Sequence, residues 1–232
     1  MKGKIYLIPV TLGGENFEEV IPAKVLAMTR KLRYFIVEDL RSARRFLRSI
    51  DKEFPIDNTE FFILNEHTKD SEIESYLEPA LHGNDMGIMS EAGLPCIADP
   101  GAKAVALAHR KNLRIIPLPG PSSIILALIS SGFNGQNFTF NGYLPVKQEE
   151  RKARLRELER KAKDGFTQIF METPYRNQNM FETIIDTCSP GIKLCIAADI
   201  TLPSESILTK DVSDWKRNKP ELKDRMVIFI LQ

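Results

Sequence analysis

Hydrophobic and polar residues alternate in blocks along the first half of the chain. Short apolar runs, often β-branched, alternate with stretches in which apolar residues recur every three or four positions. Continuous apolar strands joined by helices indicate a parallel sheet covered on both faces. The predicted strands are 4–10, 33–39, 60–66, 86–92 and 113–118, and the predicted helices are 17–32, 40–50, 71–82 and 101–112.

A proline-rich segment, "PLPGP" at 117–121, interrupts this pattern. Ser122 or Ser123 can cap the helix that follows it. Both hairpin-like and crossover connections are expected in the second half, which favours a mixed sheet. The sequence therefore predicts two α/β domains, 1–117 and 118–232. Beyond the boundary, strands are predicted at 137–145, 166–173, 193–200, 205–212 and 225–232, and helices at 147–163 and 175–188.

The helix predicted at 40–50, "LRSARRFLRSI", has the clearest two-faced pattern. Its apolar residues are expected to face inward: Leu40, Ala43, Phe46, Leu47 and Ile50. Its four arginines are expected to face outward: Arg41, Arg44, Arg45 and Arg48. A second basic run extends over 151–163. Either run is consistent with a solvated helix face or with a nucleic-acid surface.

Composition narrows the class of protein. Hydrophobic residues make up 43% of the chain and charged residues 27%, as in ordinary globular proteins. No apolar run reaches the about 18 residues of a membrane span, so no membrane association is expected. The net charge of +1 argues against nucleic-acid binding over the whole surface but allows a local basic face.

The cysteines and histidines give no sign of a metal site. Cys96, Cys188 and Cys195 are odd in number and lack zinc-like spacing, and the three histidines are scattered. Free buried thiols are typical of a reducing compartment, so a cytoplasmic protein is expected.

Ligands of open α/β sheets bind beyond the carboxyl ends of the strands. Each such end here is followed by glycine, proline or polar residues, and carboxylates beside exposed amides suit a sugar hydroxyl or an amino group. Each of these loops could equally be a simple turn. The segments are 9–14, 38–39, 90–101, 119–123, 171–173 and 198–199. The sequence contains no GxGxxG, P-loop, GxSxG or HExxH motif.

Four motifs in order, "SEAGLPCIADPG", "PLPGPSS", "FNGYLP" and "IFMETPYR", resemble those of the tetrapyrrole-methylase superfamily of S-adenosylmethionine-dependent enzymes. More closely, the chain is similar to the small-subunit rRNA (cytidine-2′-O)-methyltransferase I family. Two segments depart from that family: P-I-G-N is replaced by "VTLGG", and R-E-L-T-K by "ADITL", which puts Leu202 in place of a lysine. The resemblance implies a tetrapyrrole methylase-like fold with the cofactor cleft between the two domains.

The resemblance also implies which residues contact S-adenosylmethionine. Met171 matches a strand-end position near the cofactor, Ala198 and Met226 are expected to border the adenine, and Pro9 to close the floor of the site. The remaining expected contacts are Ser90, Glu91, Ala92, Gly93, Pro95, Ile97, Ala98, Ser122 and Ser123.

Methyl transfer to an oxygen requires in-line placement of the acceptor and removal of its proton. Glu172 is the first candidate for proton acceptance or substrate orientation, and Asp199 is the second. Arg176 could hold a phosphate through its bidentate guanidinium. Glu172 and Arg176 are also spaced as an i, i+4 ion pair, which would need no catalytic role.

Three functions follow from these observations. The first is 2′-O-methylation of a ribose in small-subunit ribosomal RNA, with the RNA or the small subunit as partner. The second is methylation of a small molecule of the tetrapyrrole kind. The third is cofactor binding without turnover. The resemblance further implies a homodimer.

Overall fold

A five-stranded, wholly parallel sheet forms the centre of the first unit, Met1–Ser122. In this computed structural model, which describes residues 1–232, the strand order is β3-β2-β4-β1-β5. The strands are β1 (Lys4–Leu7), β2 (Tyr34–Val37), β3 (Glu60–Ile63), β4 (Met86–Met89) and β5 (Arg114–Pro117). The helices are α1 (Phe17–Val20), α2 (Ala23–Thr29), α3 (Leu40–Ile50), α4 (Asp70–Tyr76), α5 (Glu78–Leu81) and α6 (Gly101–Arg110), with a 3-10 turn at Ile56–Asn58.

Both faces of this sheet are buried, as the continuous apolar strands predict. Neighbouring residues of β2 point to opposite faces. Phe35 packs in a cluster with Phe46 and Leu47 of α3, whereas Ile36 packs in a second cluster with Ala104 of α6. The predicted parallel α/β architecture of this half is confirmed.

The helix predicted over 17–32 is wrong in one respect, since it is broken at Ile21-Pro22. Ile21 is extended, with φ −119° and ψ 122°, because the residue before a proline disfavours the helical conformation. Helix α2, which follows the break, buries Val25 and Leu26, while Ala27 is exposed.

The second unit, Ser123–Gln232, contains a mixed sheet in the order β6-β7-β10-β8-β9. Only the β6–β7 pair is parallel, and the other pairs are antiparallel. The elements are α7 (Ser123–Ser131), β6 (Phe138–Tyr143), α8 (Gln148–Lys163), β7 (Thr167–Met171), α9 (Asn177–Thr187), β8 (Lys193–Ala198), β9 (Ser206–Asp211), α10 (Val212–Arg217) and β10 (Val227–Leu231), with a 3-10 turn at Pro174–Arg176. The mixed sheet was predicted.

Two details of the second unit were not predicted. The last two strands are not neighbours, because β9 pairs with β8 while β10 inserts between β7 and β8. The six-residue helix α10 was not predicted. It is held by burial of Trp215, whose indole N–H donates to the carbonyl of Leu194 at 2.9 Å. No helix of either unit has the length and apolarity needed to cross a bilayer.

Candidate functional site

The loop after β4 is organised by one carboxylate. Asp99 Oδ2 accepts from the Cys96 amide at 2.7 Å, and Oδ1 accepts from the Gly101 amide at 2.7 Å, where α6 begins. These two bonds close the loop over residues 96–101. The loop lies at the carboxyl ends of β1 and β4, which are paired in parallel. This is the edge at which a ligand of an open α/β sheet binds.

The backbone of this loop adopts a conformation that few residues favour. Cys96 and Ala98 have φ values of 70° and 60°, in the left-handed region. Between them Ile97 is 43% exposed, although it is aliphatic. Strained backbone of this kind is concentrated at ligand-binding sites. The Cys96 thiol is an unreactive group here, because burial and then the nearby charge of Asp99 raise its pKa to about 12.

Two glycines allow the loops of this edge to approach one another. Gly93 has a φ of 70°, and its amide and carbonyl pair with the segment after β1 at Thr11 and Val10. A β-carbon on Gly93 would lie 2.9 Å from Leu12 Cδ2, so the space beside this glycine is filled by protein. At Gly120, a β-carbon would lie 2.2 Å from the β-carbon of Pro9.

Carboxylates surround this edge of the sheet. Glu38, directly after β2, accepts a hydrogen bond from the Glu91 amide at 3.3 Å. Burial raises the pKa of Glu38; the Glu91 amide opposes this shift, and the charges of Asp99, Glu91 and Asp39 add to it. A group with exposed hydroxyls or a positive charge would be favoured beside these residues.

A groove of about 620 Å³ opens next to this cluster. Its lining residues come from the start of α3 and from the loop after β4: Asp39, Leu40, Arg41, Arg44 and Glu91. Asp39 caps α3 by accepting from the Ser42 amide at 2.7 Å, and this bond, chiefly, lowers the pKa of Asp39. The cap fixes the direction in which α3 leaves the groove.

The arginines of α3 form no salt bridges. All four are exposed, as predicted. The guanidinium of Arg44 lies 5.5 Å from the centre of the Phe61 ring, and Arg48 donates to the Lys52 carbonyl at 2.6 Å. Inward burial is confirmed for Ala43, Phe46, Leu47 and Ile50, whereas Leu40, at the groove, is half-buried.

In the second unit, the end of β7 carries a closed network. The side chain of Glu172 has no exposed surface, and its Oε1 accepts from Arg176 Nη2 at 2.6 Å and from the Thr173 amide at 2.7 Å. Arg176 Nε also donates to Thr173 Oγ1 at 3.1 Å. The other oxygen of Glu172, Oε2, is buried without a hydrogen-bond partner. This carboxylate therefore keeps one free acceptor.

Asp199, at the end of β8, has both carboxylate oxygens engaged. Oδ2 accepts from Arg225 Nε at 2.7 Å and from Ser204 Oγ at 3.0 Å, and Oδ1 accepts from the Met226 amide at 3.0 Å. Burial alone would raise the pKa of Asp199, but these bonds outweigh it and the pKa lies below its ordinary value. Both carboxylate oxygens of Asp199 are therefore occupied, whereas Oε2 of Glu172 is not.

The remaining expected site residues lie at these same strand ends. Met171 ends β7 and pairs with Ile228, while Ala198 ends β8 and pairs with Val227. Met226, beside them, is 40% exposed. In the first unit Pro9, Gly93, Pro95 and Ser122 are buried and Ser90 is half-buried, whereas Glu91, Ala92, Ile97 and Ala98 are exposed; Ser123 begins α7 and is half-buried.

Two organising residues were absent from the predicted site. Asp99 lies inside a recognised loop, and a carboxylate followed two residues later by a helix start could have indicated its role. Arg225 has no such signal, because it is 26 residues from Asp199 along the chain and meets it only through the pairing of β8 with β10.

Comparison with known proteins agrees with this architecture. Residues 4–215 match the profile of the family described as "Tetrapyrrole (Corrin/Porphyrin) Methylases". The chain belongs to this family of methyltransferases. A solved structure, described as that of the methyltransferase CobJ, has the same fold, with a TM-score of 0.65 and 17% identity over 99% of this chain and 93% of that one.

Relatives at higher identity define the branch of the family. A protein of Leptospira borgpetersenii named ribosomal RNA small subunit methyltransferase I is 33% identical over 210 residues, or 88% of this chain and 78% of the relative. A protein of the same name from Vibrio cholerae is 29% identical over 226 residues, covering 94% and 75%. The expected family resemblance is confirmed.

Proposed function

We propose that this methyltransferase uses S-adenosylmethionine to methylate the 2′-oxygen of a ribose in small-subunit ribosomal RNA. The observation that supports it best is the loop 90–99, which has the family's sequence and is closed by Asp99 at the carboxyl edge of a parallel sheet. Methylation of a tetrapyrrole-like small molecule is the alternative, and the exposed arginines of α3 beside this loop favour the RNA.

The residues of the loop fit the cofactor. Ala92 and Ala98 are small and exposed, Ile97 offers apolar surface, and the carboxylates of Glu38 and Glu91 suit hydroxyl or amino groups. When bound, S-adenosylmethionine supplies an electrophilic methyl group. The contacts assigned by resemblance to Met171, Ala198 and Met226 stay predictions.

The groove beside α3 suits the phosphates of RNA. Arg41 and Arg44 line it together with Asp39 and Glu91, and neither arginine forms a salt bridge, so their guanidinium groups are free to bind a phosphate. Guanidinium groups bind phosphate oxygens through two parallel hydrogen bonds. The adjacent arginines Arg45 and Arg48 extend the basic surface along the helix.

For proton removal from the ribose hydroxyl, Glu172 is the better candidate because its Oε2 has no partner. Arg176 would then position the carboxylate through its 2.6 Å bond to Oε1. Glu172→Gln should lower kcat while leaving the affinity for S-adenosylhomocysteine unchanged. An unchanged kcat would exclude Glu172 as proton acceptor.

The test of the overall proposal is methyl transfer from labelled S-adenosylmethionine into small ribosomal subunits, free RNA and a tetrapyrrole. Label in RNA, resistant to alkaline cleavage at the modified ribose, is the expected result; label only in the tetrapyrrole would support the alternative.

Calorimetry with S-adenosylhomocysteine tests whether the loop 90–99 binds the cofactor. Ile97→Asp should abolish binding, and Ile63→Asp is the control, since Ile63 is equally exposed (44%) but lies on the edge strand β3.

We further propose a cytoplasmic homodimer. Helix α7 is apolar around most of its circumference, and Ile129 on its outer side is 72% exposed. A second copy of the chain would remove this surface from water. Light scattering should give twice the chain mass, and Ile129→Lys should shift it towards the monomer. A monomer mass for the unmodified chain at all concentrations would refute the dimer.

A further inference from the structure

Tyr175 occupies an unusual position for an aromatic residue. It lies in the 3-10 turn after β7, and 68% of its surface is exposed, more than for any other tyrosine of the chain. Its hydroxyl makes no hydrogen bond. The guanidinium of Arg176 lies 5.5 Å from the ring centre. An accessible ring with a cation beside it is therefore presented to solvent.

The turn that carries Tyr175 is firmly anchored. Glu172, Thr173 and Arg176 form the closed network described above, and the Pro174 carbonyl accepts from the Asp224 amide at 3.2 Å. Asn177, which follows, donates from Nδ2 to the Arg225 carbonyl at 2.6 Å. Because the backbone is already fixed, stacking on this ring would lose little conformational entropy.

The location distinguishes Tyr175 from the exposed phenylalanines. Phe138 and Phe166 lie at the amino ends of β6 and β7, where Phe138 pairs with Thr167. Tyr175 lies at the opposite, carboxyl end of β7, close in sequence to Met171 and Glu172. Neither phenylalanine has a cation over its ring.

We propose that Tyr175 is a stacking platform for a nucleobase of the RNA substrate. The inference rests on the proposed RNA substrate. Single-stranded RNA is bound by stacking of unpaired bases on exposed aromatic rings, often beside an arginine. Stacking on a tyrosine ring does not select one base over another. The ring therefore contributes binding affinity and positions the RNA, while the arginines of α3 contribute electrostatic attraction.

The experiment measures binding of a short single-stranded RNA containing 2-aminopurine, whose fluorescence is quenched on stacking. Tyr175→Ala should weaken binding roughly ten-fold or more and abolish the quenching, with the salt dependence unchanged. Tyr175→Phe should retain both. Tyr175→Leu should behave like the alanine variant, because it keeps apolar area but has no π-face. Phe166→Ala is the matched control and should bind as the unmodified chain does.

Three results would overturn the assignment: unchanged RNA affinity in Tyr175→Ala, retained affinity in Tyr175→Leu, or a change of oligomeric mass in either, which would make the ring part of a protein contact. Failure of the proposed function is distinguishable. In that case the unmodified chain binds no RNA and transfers no methyl group to it, and the platform is refuted along with its substrate.

Discussion

Helices α3 and α8 are the two arginine-rich helices of the chain, and they differ in how their charges are neutralised. In α3, no carboxylate pairs with any of the four arginines. In α8 and the lysine before it, acidic residues three or four positions away form five salt bridges. These are Lys147–Glu150, Lys152–Glu149, Arg154–Glu157, Lys161–Glu157 and Lys163–Glu159.

The comparison shows that a helix rich in basic residues does not necessarily present cations that can bind a phosphate. A cation paired with a carboxylate at i+3 or i+4 stabilises its own helix modestly, and the carboxylate weakens the attraction of that cation for a phosphate. A cation that lies beside a groove and forms no salt bridge attracts a phosphate more strongly. Both runs are basic in sequence, but Arg41 and Arg44 of α3 line the groove beside the loop after β4, and no residue of α8 does.

The strongest test reverses charge on each helix by the same amount. We expect Arg41→Glu with Arg44→Glu to lower RNA affinity roughly ten-fold or more and to make the salt dependence shallower by roughly two phosphate contacts. Arg156→Glu with Arg160→Glu is the control, since both arginines are exposed on α8, form no salt bridge and do not line the groove, and the change in net charge is identical. Filter binding at several salt concentrations measures both.

Equal losses in the two double variants would mean that RNA responds to net charge alone, and the distinction between the helices would fail. Affinity for S-adenosylhomocysteine, measured in the same preparations, should stay unchanged in both. An unchanged affinity for S-adenosylhomocysteine would show that each variant is folded.

The two helices also show which features of the fold could be predicted from the sequence. Periodicity identified α3 and α8 and the outward arginines of α3, because helical spacing depends only on residues a few positions apart. Salt bridges at i+3 and i+4 in α8 were also readable in principle. The break at Ile21-Pro22 shows the limit, since apolar residues at helical spacing on both sides of the proline predicted one continuous helix.

Features that depend on which strands pair could not be predicted from the sequence. The insertion of β10 between β7 and β8 brings Arg225 to Asp199, and no local pattern encodes that choice. The loop 90–99 was predicted from its motif to bind a ligand. Its closure by Asp99 and the filled space beside Gly93 depend on segments that meet only in the folded sheet.

The second prediction concerns the start of α3. Asp39→Ala removes the hydrogen bond to the Ser42 amide and should lower the free energy of unfolding by about 1 kcal/mol. Asp39→Asn keeps an acceptor and should lose less. Because the Ser42 amide lowers the pKa of Asp39, the contribution of its charge is present above the unfolded pKa of about 3.9 and is lost as pH falls through the folded value. Urea unfolding at pH 7 and at acid pH measures this.

The third prediction transfers the α3 cap to α8. Lys147 is the N-cap of α8, has extended backbone and makes no side-chain cap bond, while Glu150 is at the third helical position. Lys147→Ser would create a capping box with Glu150 and should stabilise the protein by about 0.5 kcal/mol. Lys147→Ala loses the same exposed salt bridge without gaining a cap. A lower stability for the serine variant than for the alanine variant would refute the capping argument.

The smallest effect is expected when α8 is made to resemble α3. Glu157→Gln frees Arg154 and Lys161, and RNA affinity should rise by less than about two-fold because neither residue lines the groove beside α3. Hydrogen bonds from Lys161 and then Arg154 lower the pKa of Glu157 to about 2. Its stabilising contribution is therefore complete above the unfolded pKa of about 4.3 and disappears as pH falls towards 2. Thermal unfolding should show a small advantage of the unmodified chain at pH 7 that vanishes near pH 2. A gain in RNA affinity as large as the loss in the α3 double variant would show that unpaired charge alone, without the groove, determines where RNA binds.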